Sequence, residues 1–281
     1  MRIKEEIINN DFRFKKNLGQ NFIEDDAILH GIVDSACLCP LDDVLEIGSG
    51  AGTLTRAIAG KARRVVSYEI DKTLAPVLAQ TLKGVENAEI IFKDFMRVSM
   101  AEAEKDFSGE YVVVANLPYY ITSPIVMKLI EEACRVKRIV VTVQKEVADR
   151  FCAKEGSPDY GAITVAINAF GSAEKTMDIK RENFYPAPNV DSAVVRIDIV
   201  RNKFHGLDYP ALRDTVRAAF SSRRKTLVNN LMLGFKLDRA RAESVLLSVG
   251  IDGGIRGERL GVESFIALSK ALKESGVPVG K

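Results

Sequence analysis

Residues 116–124 read NLPYYITSP and follow directly on an apolar run, Tyr111 to Ala115. A strand end needs only a turn. An amide, a proline and two tyrosines there suit a site that holds something flat and polar. A second such end is Glu46-Ile-Gly48-Ser-Gly50-Ala-Gly52, where glycines let the backbone turn sharply and approach a ligand closely. The dinucleotide fingerprint is G-x-G-x-x-G, but here the spacing is G-x-G-x-G and Thr53 stands where the third glycine belongs. Glu69 ends the next apolar run, 19 residues after Gly50. A carboxylate there can accept from both hydroxyls of a ribose. Asp94, in FKDF, ends a third run and could accept from an adenine amino group. Each acid alone would equally suit capping a turn. Three such ends together describe a nucleoside pocket, and the two acids argue against a phosphate.

The glycine spacing, with Glu46 ahead of it, resembles the class I methyltransferases that bind S-adenosylmethionine. The N-x-P-[FY] pattern resembles enzymes of that class that methylate an amino group conjugated to a ring. Such a nitrogen is a poor nucleophile, because its lone pair is delocalised. Acceptors on its two N–H groups free the lone pair and stabilise the charge that develops on transfer. The side-chain oxygen of Asn116 and the backbone oxygen of Leu117 can fill these roles. Pro118 fixes the turn and removes a competing donor, and Tyr119 offers a face for stacking. A further aromatic stretch, NFYPAPNVDS at 183–192, reads as a stiff loop. Phe184 could close the other side of a base there, with Tyr185 competing for the role.

These side chains need a scaffold. Apolar runs rich in Val and Ile alternate with helical patterns from residue 27 to 200, which predicts an α/β doubly wound, mostly parallel sheet of seven strands. The runs are DDVLEIGSG, RRVVSYEID, AEIIFKDF, GEYVVVANLPYY, KRIVVTVQKE, GAITVAINAF and SAVVRIDI. Thr122 or Ser123 could cap the helix after NLPYY, with Pro124 in its first turn. Beyond residue 200 only helical spacing remains, and Leu212, Val216, Phe220 and Leu227 can share one face. The expected division is a methyltransferase domain over 1–200 and a small all-helical domain over 201–281.

The 281 residues carry a net charge of +2, unevenly placed. Residues 201–281 hold 15 Lys and Arg against 8 Asp and Glu, whereas 1–200 hold 25 against 30. A basic tail on a mildly acidic body points to an anionic partner. No apolar run is long enough to span a bilayer, and the charged start MRIKEEIINNDFRFKK lacks a secretory core, so a cytoplasmic protein is expected. The four cysteines and two histidines show no zinc spacing, so no metal is expected, and the thiols read as packing residues.

Taken together, these stretches resemble the rRNA adenine N6,N6-dimethyltransferases, in particular the bacterial small-subunit (16S) branch, the KsgA family. The resemblance runs through KKNLGQNF (15–22), EIGSGAGTLT (46–55), EID (69–71), DF (94–95), NLPYYITSP (116–124), VTVQKEVADRF (141–151), YGAITV (160–165), FYPAPNVDSAVV (184–195) and FSSRRKTLVNNL (220–231), and covers nearly the whole chain. Ser49 and Ala51 stand where the family often has Pro and Leu. The resemblance implies transfer of two methyls from S-adenosylmethionine to each of two adjacent adenines in the hairpin loop near the 3′ end of small-subunit rRNA. The partner implied is a pre-ribosomal 30S particle, approached by a monomer. Donor contacts are implied at Gln20, Asn21, Ile23, Gly48, Gly50, Glu69, Asp94 and Asn116, and an acceptor site at Asn116, Leu117, Pro118, Tyr119 and Phe184. SSRRK, read as lying on a helix, would grip rRNA through Arg223, Arg224 and Lys225. The alternatives are the large-subunit rRNA adenine methyltransferases of the macrolide-resistance type and a ribosome-assembly docking factor. An NAD-linked oxidoreductase is disfavoured by the glycine spacing.

Overall fold

A computed structural model describes residues 15, 19–201 and 203–280. Residues 1–14 of the charged start and residues 16–18 of the KKNLGQNF stretch lie outside the described residues. The described strands are β1 (Phe22–Ile23), β2 (Asp43–Ile47), β3 (Arg64–Glu69), β4 (Ala88–Phe92), β5 (Tyr111–Asn116), β6 (Val136–Gln144), β7 (Gly171–Ile179), β8 (Phe184–Tyr185) and β9 (Ser192–Ile199). Seven of them form one sheet in the order β4-β3-β2-β5-β6-β9-β7. Strands β4 to β6 run parallel and β9 runs antiparallel to β6.

The apolar patterning explains this arrangement. All five residues of β2 are buried, as are Tyr111 to Ala115 of β5, so both strands are covered on both faces. The order also explains the site. With β2 central, the chain leaves β2 toward β3 and β4 on one side and returns to β5 on the other. Such a reversal opens a crevice at the carboxyl ends of the strands. Asp94, Glu69, Gly48 and Asn116 follow β4, β3, β2 and β5 and so stand in a row along that edge.

Four expectations are corrected here. Residues 162–170 form a helix, Ala162–Phe170, rather than a strand, and β7 follows it. Thr164 to Ile167 are all buried, and a helix apolar on every side has no period that tells it from a buried strand. The true strand, GSAEKTMDI, is largely solvated on one face and carries little apolar signal. The helix after NLPYY begins at Tyr119 and runs to Glu132, so Pro124 lies inside it and cannot donate to the Tyr120 carbonyl. Thr122 does not cap it, because its hydroxyl donates back to the Pro118 carbonyl at 3.2 Å.

The chain divides into two compact units. One comprises residues up to Ala148 with Ala173–Ile199, the other Asp149–Ser172 with Val200 onward. A single cut at residue 200 therefore misplaces 149–172. Val165 and Ala169 of the all-round apolar helix belong to the same core as Leu212, Val216, Leu227 and Phe265, and Phe220 packs against it. In the second unit the basic triplet meets the fourth correction. Arg223, Arg224 and Lys225 lie in a turn between helices Tyr209–Ala219 and Leu227–Phe235, not on a helix. Buried Asn230 holds that turn: its amide donates to the carbonyls of Ala219 and Ser222 at 2.7 and 3.0 Å, and its oxygen accepts from Ser221 Oγ at 3.2 Å.

Candidate active site at the carboxyl edge of the sheet

A cleft of about 260 Å³ opens along the row of strand ends, and all twelve residues singled out for donor or acceptor contact line it. Its floor is the glycine turn. Gly48, Gly50 and Gly52 have φ of 84°, 54° and 86°, the left-handed region that L side chains rarely adopt. Around Gly48 there is open space: a Cβ there would meet only the Asn116 carbonyl, at 3.9 Å. At Gly50 a Cβ would lie 2.9 Å from the Phe22 ring, so this glycine serves packing as well as turning. Helix Thr53–Ala59 follows the turn.

Glu69 is buried at the end of β3. One of its oxygens accepts from Gly50 N and the other from Asp71 N, each at 2.8 Å. These bonds fix the carboxylate and leave lone pairs on both oxygens for further donors. Burial raises its pKa, which the two backbone donors partly oppose. Asp94 is partly exposed; it accepts from Met96 N at 3.0 Å and lies 3.4 Å from Arg97.

The acceptor half is built around Asn116. Its Nδ2 donates to the Asn21 carbonyl at 3.0 Å. A carbonyl can only accept, so this bond fixes which end of the amide is which and leaves Oδ1 as the end that can accept from a substrate amine. Tyr119 is half-buried with its hydroxyl 2.7 Å from Ser192 Oγ, which locks the ring. Burial raises the Tyr119 pKa, against the Ser192 bond, so the phenol stays neutral. Phe184 is buried in a core with Ile23, Leu29 and Val114, and reaches the cleft from that packed position.

The sequence did not disclose what joins the two ends of the site. Strand β1 pairs antiparallel with β8, Phe22 opposite Tyr185 and Ile23 opposite Phe184. The GQNF loop and the NFYP loop thus form one two-stranded ribbon. Thr53 Oγ1 donates to the Ile23 carbonyl at 3.0 Å and ties this ribbon to the glycine turn. Gln20 lines the cleft, but its amide is spent elsewhere: Nε2 donates to Asp71 Oδ2 at 2.9 Å, and Oε1 accepts from Lys15 N at 3.0 Å. Lys15 Nζ lies 2.6 Å from Asp71 Oδ1. Burial alone would raise the Asp71 pKa, but its bonds to Lys15, Thr73 and Gln20 outweigh it and hold the carboxyl below its usual range. Asp71 therefore anchors the loop, a role no motif disclosed. The sequence signal was its place at the end of the EID stretch, two residues past a strand end, which did not reveal the anchoring role.

Arg223, Arg224 and Lys225 lie in the other unit and are exposed. Arg223 donates to the Pro158 carbonyl at 3.0 Å. Three cysteines, Cys37, Cys39 and Cys134, are exposed, so the packing role expected of them fails. Among the described residues no cluster of three or more His, Cys, Asp or Glu could hold a metal ion, and no helix is long and apolar enough to cross a membrane.

The profile of the family described as ribosomal RNA adenine dimethylase matches residues 11–274. The chain is 44% identical over 281 residues to the ribosomal RNA small subunit methyltransferase A of Geobacillus kaustophilus (strain HTA426), covering 96% of this chain and 95% of that protein. It is 42% identical over 281 residues to the protein of the same name from Bacillus licheniformis, covering 98% and 96%. Among solved structures, a dimethyladenosine transferase from Plasmodium falciparum matches with a TM-score of 0.77 at 26% identity, over 91% of this chain and 98% of that one. The 23S rRNA methyltransferase ErmE matches with a TM-score of 0.67 at 30% identity, over 90% and 100%.

Proposed function

The chain belongs to the ribosomal RNA adenine dimethylase family, and from that premise we propose that it dimethylates N6 of two adjacent adenines in the 3′-terminal hairpin loop of small-subunit rRNA during ribosome biogenesis. It is an S-adenosylmethionine-dependent rRNA adenine dimethyltransferase. The observation that carries the finer reading is the Asn116 amide, whose nitrogen is held by Asn21 and whose oxygen is thereby left to accept.

The cleft suits the donor. The open cradle at Gly48 admits a ligand close to the backbone, and Glu69 retains lone pairs for ribose hydroxyls. Asp94 can accept from an adenine amine, and the ribbon from Asn21 to Ile23 borders the same space. Bound S-adenosylmethionine supplies an electrophilic methyl on a sulfonium. Gln20 acts on the donor indirectly, by holding its loop to Asp71.

At the acceptor end, Asn116 Oδ1 and the Leu117 carbonyl accept from the two N–H groups of the target adenine. This draws the nitrogen toward tetrahedral geometry and offsets the charge that builds on it. Pro118 shapes the turn, Tyr119 stacks on the base, and Phe184 supports the opposite side from the core. Each methylated nitrogen releases its proton to water, so no general base is needed. The target base must leave its stack, which costs less in a loop than in a duplex.

The helical unit contacts rRNA through Arg223, Arg224 and Lys225. The chain acts as a cytoplasmic monomer on a pre-30S particle. To test the reading, incubate the purified chain with labelled donor and undermethylated small or large ribosomal subunits, then map the label. Label at N6 of two adjacent adenines near the 3′ end of the small-subunit rRNA is expected. Label confined to large-subunit rRNA overturns the assignment in favour of the macrolide-resistance type.

A further inference from the structure

We propose that Tyr120 forms a second stacking subsite, for the base adjoining the target adenine; the inference rests on the RNA-methylating reading of this cleft. Tyr120 lines the cleft yet is 61% exposed, the only aromatic among the exposed large apolar side chains of the described residues. A tyrosine normally buries its ring or bonds its hydroxyl. Tyr119 does so through Ser192. Tyr120 has no hydrogen bond through its side chain and no ring partner among the described residues.

The ring is nonetheless braced. Tyr120 sits in the first turn of helix Tyr119–Glu132. Its edge lies against Gly19, where a Cβ would come within 3.5 Å of Tyr120 Cε1 and 3.2 Å of Pro118 Cβ. Gly19 has φ +57°, so a residue without a side chain lets the loop lie there. The result is an aromatic ring held at one edge and largely open to solvent.

Consecutive residues on a helix point about 100° apart. Tyr119 and Tyr120 therefore cannot stack on the same base. With Tyr119 tied to Ser192 and lining the cleft, Tyr120 is left for a neighbouring nucleotide. The other exposed apolar rim residues, Ile70 and Met96, adjoin Glu69 and Asp94 on the donor side and do not compete for it. A bare ring reads only the plane of a base. The subsite therefore accepts any neighbouring base, with at most a modest preference for the larger purine face.

The experiment measures kcat and KM on undermethylated small subunits for the parent, Tyr120→Ala and Tyr120→Phe, with donor affinity followed by calorimetry. Tyr120→Ala should raise KM for subunits roughly 5- to 100-fold, the range of one base–aromatic stack, with donor affinity unchanged. Tyr120→Phe should match the parent. On subunits whose neighbouring nucleotide lacks its base, the parent should lose most of that factor and Tyr120→Ala nothing further. An unaltered KM for Tyr120→Ala, equal damage from Tyr120→Phe, or a penalty independent of the neighbouring base overturns the subsite. If the parent methylates no small subunit, the functional reading fails and takes the subsite with it.

Discussion

At the scale of single residues, the site works by assigning each polar atom one task. Asn116 gives its nitrogen to Asn21, which leaves its oxygen to accept from the proposed substrate amine. Tyr119 gives its hydroxyl to Ser192 and keeps its ring face. Tyr119→Phe loses only that locking bond, so methylation should persist with kcat/KM reduced by about tenfold or less. A loss near that of Asn116 truncation would instead place the hydroxyl in the chemistry. Glu46 offers a separate test. It is wholly buried at the end of β2, Thr55 donates to Oε2 at 2.6 Å, and Oε1 has no partner among the described residues. Burial is the main reason that its carboxyl is pushed up to about 7 from 4.5. The folded state thus holds this proton longer than the unfolded chain. The stability contribution is full below the unfolded pKa and is lost as pH rises through about 7. Between pH 5 and 8 the stability of Glu46→Gln, measured by denaturant unfolding, should gain about 2 to 3 kcal/mol relative to the parent. A difference constant with pH would mean that Glu46 ionises normally.

Elements decide whether those residues meet. The strands that carry Gly48, Glu69 and Asn116 were legible from their Val-rich runs, because strands buried on both faces read as continuous apolar segments; β4, which leads to Asp94, is only partly buried and was legible from AEIIF alone. Residues 162–170 misled for the same reason: an apolar run looks alike in a buried helix and a buried strand. The ribbon of β1 and β8 was invisible, since each strand has two residues and their pairing spans more than 160 positions of chain. No local period reports such a contact. The glycine turn was legible in kind, but the reason for Gly50 was not, because Phe22 comes from that distant ribbon. Gly50→Ala should cost about 1–2 kcal/mol for the left-handed backbone, plus a packing cost where the new Cβ meets Phe22. Gly84→Ala, at φ 78° with nothing within 4 Å, isolates the backbone part. Thermal unfolding should rank Gly50→Ala clearly below Gly84→Ala, with weaker donor binding only in the former. Equal losses would mean that Phe22 moves aside freely.

On the scale of the whole molecule, charge and chemistry lie in different units. The residues proposed to hold donor and acceptor line one cleft in the first unit, while the basic triplet lies in a turn in the second. The sequence identified those cations but not their setting, because the serines before them suit a helix or a turn and buried Asn230 decides for the turn. Arg223 is partly engaged by Pro158, so Arg224 and Lys225 should carry most of any phosphate contact. Changing all three to Ala should flatten the salt dependence of subunit binding by a slope of about 2, leaving donor affinity intact. An unaltered slope would remove the triplet from the RNA interface. The central claim, that an oriented amide activates an adenine amine, is tested most directly by single-turnover methyl transfer with Asn116→Ala on undermethylated small subunits, with donor and subunit binding measured in parallel. The expected result is a transfer rate lowered about 10²- to 10³-fold while the variant still binds donor and subunit. Transfer at the parental rate by this variant would contradict the account.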